Sequence, residues 1–230
     1  MDDIEWLACT EPARMLAYLG GDLSPRKQQL FACACVRRVW PHVRDETCRR
    51  AVEVAERFAD GLATAAERDE ASEATAGSDG SATTYGPAEL ATTFAIIADQ
   101  GAELLSPHPY LPAVHAAHYA AEAAASAGEY DPTGGDAAAF FHAERAAQCR
   151  LLRCVAGNPF RPASSGPWVT PAAVSVARDC YDRRDFAALP VLADLLEEAG
   201  CPHQSVLDHC RRPGEHVRGC WVVDLVLGKS

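Results

Sequence analysis

The run WVVDLVL, residues 221–227, decides the fold class of this chain. It is the one segment rich in β-formers, and tryptophan and valine favour a pleated surface. The same seven residues also fit an amphipathic helix, because a short apolar run does not separate strand from helix by periodicity alone. Elsewhere helix start and stop signals run almost from end to end, so the helical reading of 221–227 leaves no convincing strand. The sequence therefore predicts an all-α protein, a multi-helix bundle of about eight to ten helices with short loops.

Those signals sit at particular residues. Ser24 precedes PRKQQLFACACVRRVW, with Pro25 at the favoured first helical position, and Thr10 precedes EPARMLAYL as a second N-cap. Asp45 opens a helix through AVEVAERF, in which Ala51, Val52, Ala55, Phe58, Ala59 and Leu62 make one apolar stripe. Thr64 and Glu67 have the spacing of a capping box. Helices are predicted from Pro87 to Leu105 and from Ala113 to Ser126, with SPHPYLP between them and with GSDGSATTYG and DPTGGD as surface loops. Asp136 caps the long AAAFFHAERAAQCRLLRCVA, which Gly157 can end in a left-handed turn. NPFRPASSGPWV holds Pro159, Pro162 and Pro167, too many for a helix interior, and is predicted as a packed loop anchored by Phe160 and Trp168. Thr170 and Pro171 restart a helix to Tyr181, and Phe186 to Ala199 forms another that Gly200 ends. The chain reads as one helical domain over residues 1–230, with a subdomain break near 157–169 as the alternative.

With 230 residues, 48% of them apolar, the chain can bury a sizeable core. No basic segment followed by an apolar stretch opens it, and no apolar run approaches the roughly 20 residues of a membrane span, so a cytoplasmic protein is expected. The ten cysteines sit mostly among Ala, Leu and Val, and in a reducing compartment they act as small hydrophobes or metal ligands. A net charge of −11 argues against general nucleic-acid binding, which depends on clustered cations. The charge is uneven, however: residues 26–50 carry seven basic residues against Asp45 and Glu46, and residues 53–80 carry eight acidic ones against Arg57 and Arg68. Arg26, Arg37, Arg38, Arg49 and Arg50 are thus a candidate patch for an acidic protein partner, set against the plainer reading of two complementary solvated faces.

Chemistry concentrates in CPHQSVLDHCRRPGEHVRGCW, residues 201–221, which holds three cysteines, three histidines and three arginines. If 216–226 is helical, His216 and Cys220 are four apart and share a face, half of a tetrahedral metal site. Cys201 with His209 or Cys210 could complete it around zinc. The spacing matches no standard zinc motif, and side chains that merely pack or hydrogen-bond are the competing explanation. A nucleophilic Cys210, with His209 or His216 as base and Asp208 or Asp224 as orienter, is disfavoured. Cys210 falls at a helix C-terminus, where the dipole opposes a thiolate, and neighbouring helical residues diverge by about 100°.

Other constellations are weaker. Cys33 and Cys35 in FACAC lie about 200° apart on a helix and cannot share one ion. His115, His118 and Glu122 share a helical face, with His142 and Glu144 on the next helix, but the ExxH pair of bundle metalloenzymes is missing. GxxxxGK[ST], GxSxG, HExxH and a strand-borne GxGxxG are absent, so no catalytic residue is assigned.

The segments EWLACTEPARML, LFACACVRRVW, AVEVAERFADG, GNPFRP, LPVLADLLEEAGC and HCRRPGEHVRGCWVVDLVLGK, in this order, resemble an uncharacterised all-helical family of planctomycetes and other high-GC bacteria. The likeness spans both ends of the chain and leaves residues 65–135 uncovered; it implies a shared fold and no known activity. LPVLADLLEEAG is also similar to the LVYADWLEE-type motif of repeat-companion domains. The family pattern singles out Asn158, Phe160, Arg161, His209, Cys210, Arg211, His216, Arg218, Cys220, Trp221 and Asp224, with Pro159, Pro162 and Gly219, as a functional or structural corner. Such groups line a pocket or lock a loop onto a bundle. The expected function is a cytoplasmic protein-interaction or adaptor module without a cofactor. The alternative is a metal-binding protein or metal-dependent enzyme holding zinc on Cys201, His209, Cys210, His216 and Cys220.

Overall fold

The computed structural model describes residues 1–75, 86–98, 111–129 and 136–229. GSDGSATTYG, SPHPYLP and DPTGGD lie outside the described residues except at their ends, as does the predicted helix beyond Ala98. Among the described residues there are twelve α-helices and no strand: α1 (Asp3–Ala8), α2 (Pro12–Leu19), α3 (Pro25–Arg38), α4 (Glu46–Ala59), α5 (Ala65–Thr75), α6 (Pro87–Ile96), α7 (Leu111–Glu129), α8 (Ala137–Ala156), α9 (Pro171–Arg183), α10 (Leu189–Glu198), α11 (Gln204–Arg211) and α12 (Trp221–Leu227). The protein is an all-α bundle, and WVVDLVL is a helix. None of the described helices is long and apolar enough to cross a membrane.

The caps explain where the helices begin. Ser24 Oγ accepts from Lys27 N at 3.3 Å, Asp45 Oδ1 from Thr47 N at 2.7 Å, Asp136 Oδ1 from Ala138 N at 3.0 Å and Thr170 Oγ1 from Ala173 N at 3.2 Å. Thr64 and Glu67 make the reciprocal capping box, with Thr64 N donating to Glu67 Oε2 at 2.8 Å and Glu67 N to Thr64 Oγ1 at 3.2 Å. Thr10 is not the cap of α2. Pro12 occupies the first helical position, so the cap falls to Glu11, whose carboxylate pairs with Arg145 instead of the helix backbone.

The chain separates into two compact units, one of Leu7–Leu152 and one of Met1–Trp6 with Arg153–Ser230. In the first, α3 packs against α4, α6 and α7. Nine consecutive residues of α3, Gln28 to Val36, are therefore buried, as expected of a helix covered all round. Cys33 and Cys35 are both fully buried, serving as small packing residues. Gln29 donates to the Ala95 carbonyl of α6, which gives this buried amide a backbone partner on the neighbouring helix.

The second unit is built on α9, α10, α11 and α12, with α10 against α9 and α11, and α12 against α9 and α11. Its core holds Tyr181, Leu189, Leu192, Leu196, Val206, Val222 and Val223. Each aliphatic side chain fully buried there contributes roughly 1.5–3 kcal/mol. The 157–170 loop is anchored by Trp168, which is buried, while Phe160 is exposed. The prolines hold that segment off the helices, and Asn158 Oδ1 accepts from Phe160 N at 2.9 Å, a local turn that directs Phe160 outward.

Candidate metal centre

Three elements of the second unit bring four ligands together. Cys154 lies in the last turn of α8, which ends where Gly157 adopts φ +74° and its N–H bonds Arg153 O at 3.0 Å. His209 lies near the C-terminus of α11. His216 and Cys220 sit on the connection from α11 to α12, and Cys220 is the N-cap residue of α12. The helical spacing expected for His216 and Cys220 does not form. Pro213 and Gly214 interrupt the helix, a turn closes from Cys220 N to Val217 O at 3.0 Å, and Gly219 at φ +82° redirects the chain.

The ligand atoms of Cys154, His209, His216 and Cys220 all lie within 4.8 Å of one another, an arrangement that could hold a metal ion. Cys154 Sγ is 3.7 Å from His216 Nδ1, and His209 Nε2 is 3.2 Å from Cys220 Sγ. Bonds of about 2.3 Å to sulfur and 2.0–2.1 Å to nitrogen give tetrahedral edges of roughly 3.3–3.8 Å, so both pairs already stand near coordination spacing. The thiols are buried and the imidazoles half-buried. The His209 and His216 rings meet edge to face at 4.9 Å, and Trp221 flanks His209 at 5.4 Å. Among the described residues no other set of three or more such side chains converges in this way.

Cys220 and Cys210 have opposite electrostatics. Burial opposes ionisation of Cys220, but hydrogen bonds from Cys154, His209 and His216 and the charge of His209 outweigh it and hold this thiol well below the usual cysteine range. Cys210 is pushed up by burial and then by Cys220, Cys180 and Cys201, so it stays a neutral packing thiol. His209 faces Cys220, and Asp208 receives Gln204 Nε2 at 2.8 Å, so neither serves Cys210 as base or orienter.

The structure thus groups His209, His216 and Cys220 from the predicted set and adds Cys154, while Cys201 and Cys210 stand outside the group. Cys154 escaped the sequence reading because 62 residues separate it from His216 and no local spacing links them. The one signal was a cysteine in the turn just before a helix-ending glycine. His203 packs edge-on to Trp168 at 5.9 Å.

Other singled-out residues frame the corner. Arg211 binds Asp194 at 2.7 Å and Glu197 at 2.6 Å, tying α11 to α10. Arg218 lies over the Tyr181 ring at 5.1 Å, and Asp224 is buried. Asn158 Nδ2 donates to Asp3 Oδ1 at 2.6 Å, and Arg161 Nε to Asp3 Oδ2 at 3.1 Å.

The basic patch is largely neutralised within its own unit. Arg26 pairs with Asp60 at 3.1 Å, Arg37 with Glu56 at 2.8 Å and Arg38 with Glu144 at 2.8 Å, while Arg49 donates to Val43 O at 2.8 Å. Arg50 is exposed and lines a groove with Glu46, Glu53 and Glu70. In the histidine set, His118 pairs with Glu122 at 3.2 Å and packs edge-on to Phe141, His115 packs on Phe94 at 4.7 Å, and Glu144 is committed to Arg38. No protein-family model, no curated protein and no solved structure matches the chain.

Proposed function

We propose that this chain is a zinc-binding helical protein in which Cys154, His209, His216 and Cys220 form a structural, four-coordinate site. The observation that carries the reading is the convergence of two sulfurs and two ring nitrogens within 4.8 Å. A tetrahedral set of that composition suits zinc, whereas calcium and magnesium take oxygen ligands. Four protein ligands leave no open position for water or substrate, which favours a structural ion over a catalytic one. The ion would join the end of α8, the end of α11 and the start of α12, and so staple three elements, the first far in sequence from the other two.

A closed site does no chemistry on a substrate, so the reading favours a scaffold or interaction role for the stapled unit over catalysis.

The test is elemental mass spectrometry of protein purified without chelator, beside a Cys154→Ser/Cys220→Ser variant. One equivalent of zinc in the wild type, lost in the variant, is expected. A wild type without bound metal, soluble and unable to take up zinc on titration, refutes the reading.

A further inference from the structure

The end of α8 faces two ways. Cys154 joins the ligand group, while the adjacent Arg153 reaches the carbonyl of Trp6, with Nε at 3.0 Å and Nη2 at 2.6 Å. Trp221, next to the ligand Cys220, lies so close to Gly157 that a Cβ there would come to 3.2 Å of its ring. Gly157 leads directly into Asn158 and Arg161, which hold Asp3. One continuous path therefore runs from Cys220 through Trp221 and Gly157 to the groups that grip residues 3 and 6.

We propose that metal occupancy of the Cys154, His209, His216 and Cys220 site controls the docking of residues 1–6, making that segment a strap held by the loaded site and released by the empty one. The proposal rests on the zinc-binding reading. A bound ion fixes the start of α12 against the end of α8, which sets Trp221 on Gly157 and places the 158–161 loop. Without the ion these elements keep their apolar packing and the separate thiol–imidazole contacts but lose the bonds that fix one against the other, and the loop loses part of its support. The grip at residue 3 is light enough to switch, since Arg161 is 59% exposed and exposed ion pairs are weak, while Trp6 is buried and its release is the larger part of undocking. Helix α1 has six residues and is too short to persist once undocked. Linkage requires the reverse effect as well: a docked strap strengthens zinc binding by the factor by which zinc strengthens docking.

The experiment is hydrogen exchange with mass spectrometry on the full chain, zinc-loaded and chelator-stripped, following peptides from residues 1–8 and from α9 and α10. Zinc affinity is measured in parallel by competition with a chromophoric chelator, for the wild type and for Asp3→Ala/Arg161→Ala. Stripping zinc is expected to speed exchange in residues 1–8 at least roughly tenfold while α9 and α10 keep their protection, and adding zinc back restores it. The double variant is expected to bind one zinc about fivefold more weakly, at the low end of typical coupling, and to exchange fast in residues 1–8 even when loaded. Three results overturn the strap while leaving the zinc site standing: equal exchange of residues 1–8 with and without zinc, loss of protection throughout the second unit at once, or unchanged zinc affinity in the double variant. A wild type that binds no zinc removes the metal reading and the strap together.

Discussion

Gly157 and Trp221 are in contact across the corner where α8 ends and α12 begins, with the glycine at φ +74° and the position of a Cβ only 3.2 Å from indole Cγ and Cδ2. Both facts demand glycine. An alanine pays about 1–2 kcal/mol for the left-handed backbone and displaces the ring that flanks His209. Gly157→Ala is expected to lower stability by about 2 kcal/mol and to weaken zinc binding, read by urea unfolding and by competition titration. Unchanged midpoint and affinity would show that the corner tolerates a side chain.

Nine of the ten cysteines are buried, and Cys201 alone is partly exposed. Burial holds the Cys48 thiol up at about 12 and raises Cys35 and Cys180 as well, so these are unreactive at pH 8. Titration of the native zinc-loaded protein with a chromogenic disulfide reagent is expected to label one thiol quickly, and Cys201→Ser to remove that phase. Chelation should then open Cys154 and Cys220 to the reagent. Fast labelling of several thiols before chelation would contradict the burial seen here.

Local chemistry made much of this fold legible. Ser24, Asp45, Asp136 and Thr170 cap helices because a short side-chain oxygen reaches a backbone N–H two or three residues on, a relation contained within four residues of sequence. The same locality explains the Thr64–Glu67 box and the Gly157 terminus. What the sequence obscured is long-range. Cys154 meets His216 only through tertiary packing, and the partners of Arg38 and Arg26 lie 106 and 34 residues away, so a run of arginines looked like a surface patch. The corner itself misled for a different reason: a four-residue spacing places His216 and Cys220 on one face only if a helix exists, and Gly219 at φ +82° breaks helical geometry between them.

Arg38 and Glu144 illustrate the consequence. Glu144 is buried, and the guanidinium meets both of its carboxylate oxygens at 2.8–3.0 Å. Arg38→Glu leaves two carboxylates facing each other in a covered site, and a loss of about 3 kcal/mol is expected, the low end for breaking a buried pair because Arg38 is partly exposed. Arg38→Glu/Glu144→Arg should recover part of that loss, which an arginine acting only as a docking charge would not do. Chemical denaturation of the four proteins in a double-mutant cycle decides it.

The capping box of α5 carries a pH dependence of known sign. The Thr64 N–H, then the Thr64 hydroxyl, hold the Glu67 carboxyl below its ordinary range. A carboxyl whose folded value is depressed contributes stability above its unfolded value, and that contribution fades as pH falls from the ordinary glutamate value through the folded one. The Thr64 amide resonance is therefore expected to titrate with a midpoint below the usual glutamate range, and Glu67→Gln, which keeps an acceptor, to abolish the titration while the helix persists. A midpoint at or above the ordinary value would mean that the box is not populated in solution.

The choice of ligands is itself testable, because Cys154 and Cys201 differ in what their loss should do. Cys154 Sγ belongs to the group gathered within 4.8 Å, whereas Cys201 lies outside it on the short connection between α10 and α11. Zinc bound at a thousand times its Kd stabilises the folded state by about 4 kcal/mol through mass action alone. Cys154→Ser should thus lose the metal and lower Tm by at least about 10 °C, and chelator should shift it no further. Cys201→Ser should keep one equivalent of zinc, and chelator should still lower its Tm as it does in the wild type. Cys210→Ser separates stability from ligation, since it places a hydroxyl in the core and costs stability yet leaves the zinc stoichiometry unchanged. Metal retained by Cys154→Ser but lost from Cys201→Ser or Cys210→Ser would move the site to the ligand set first suggested by the 201–221 stretch.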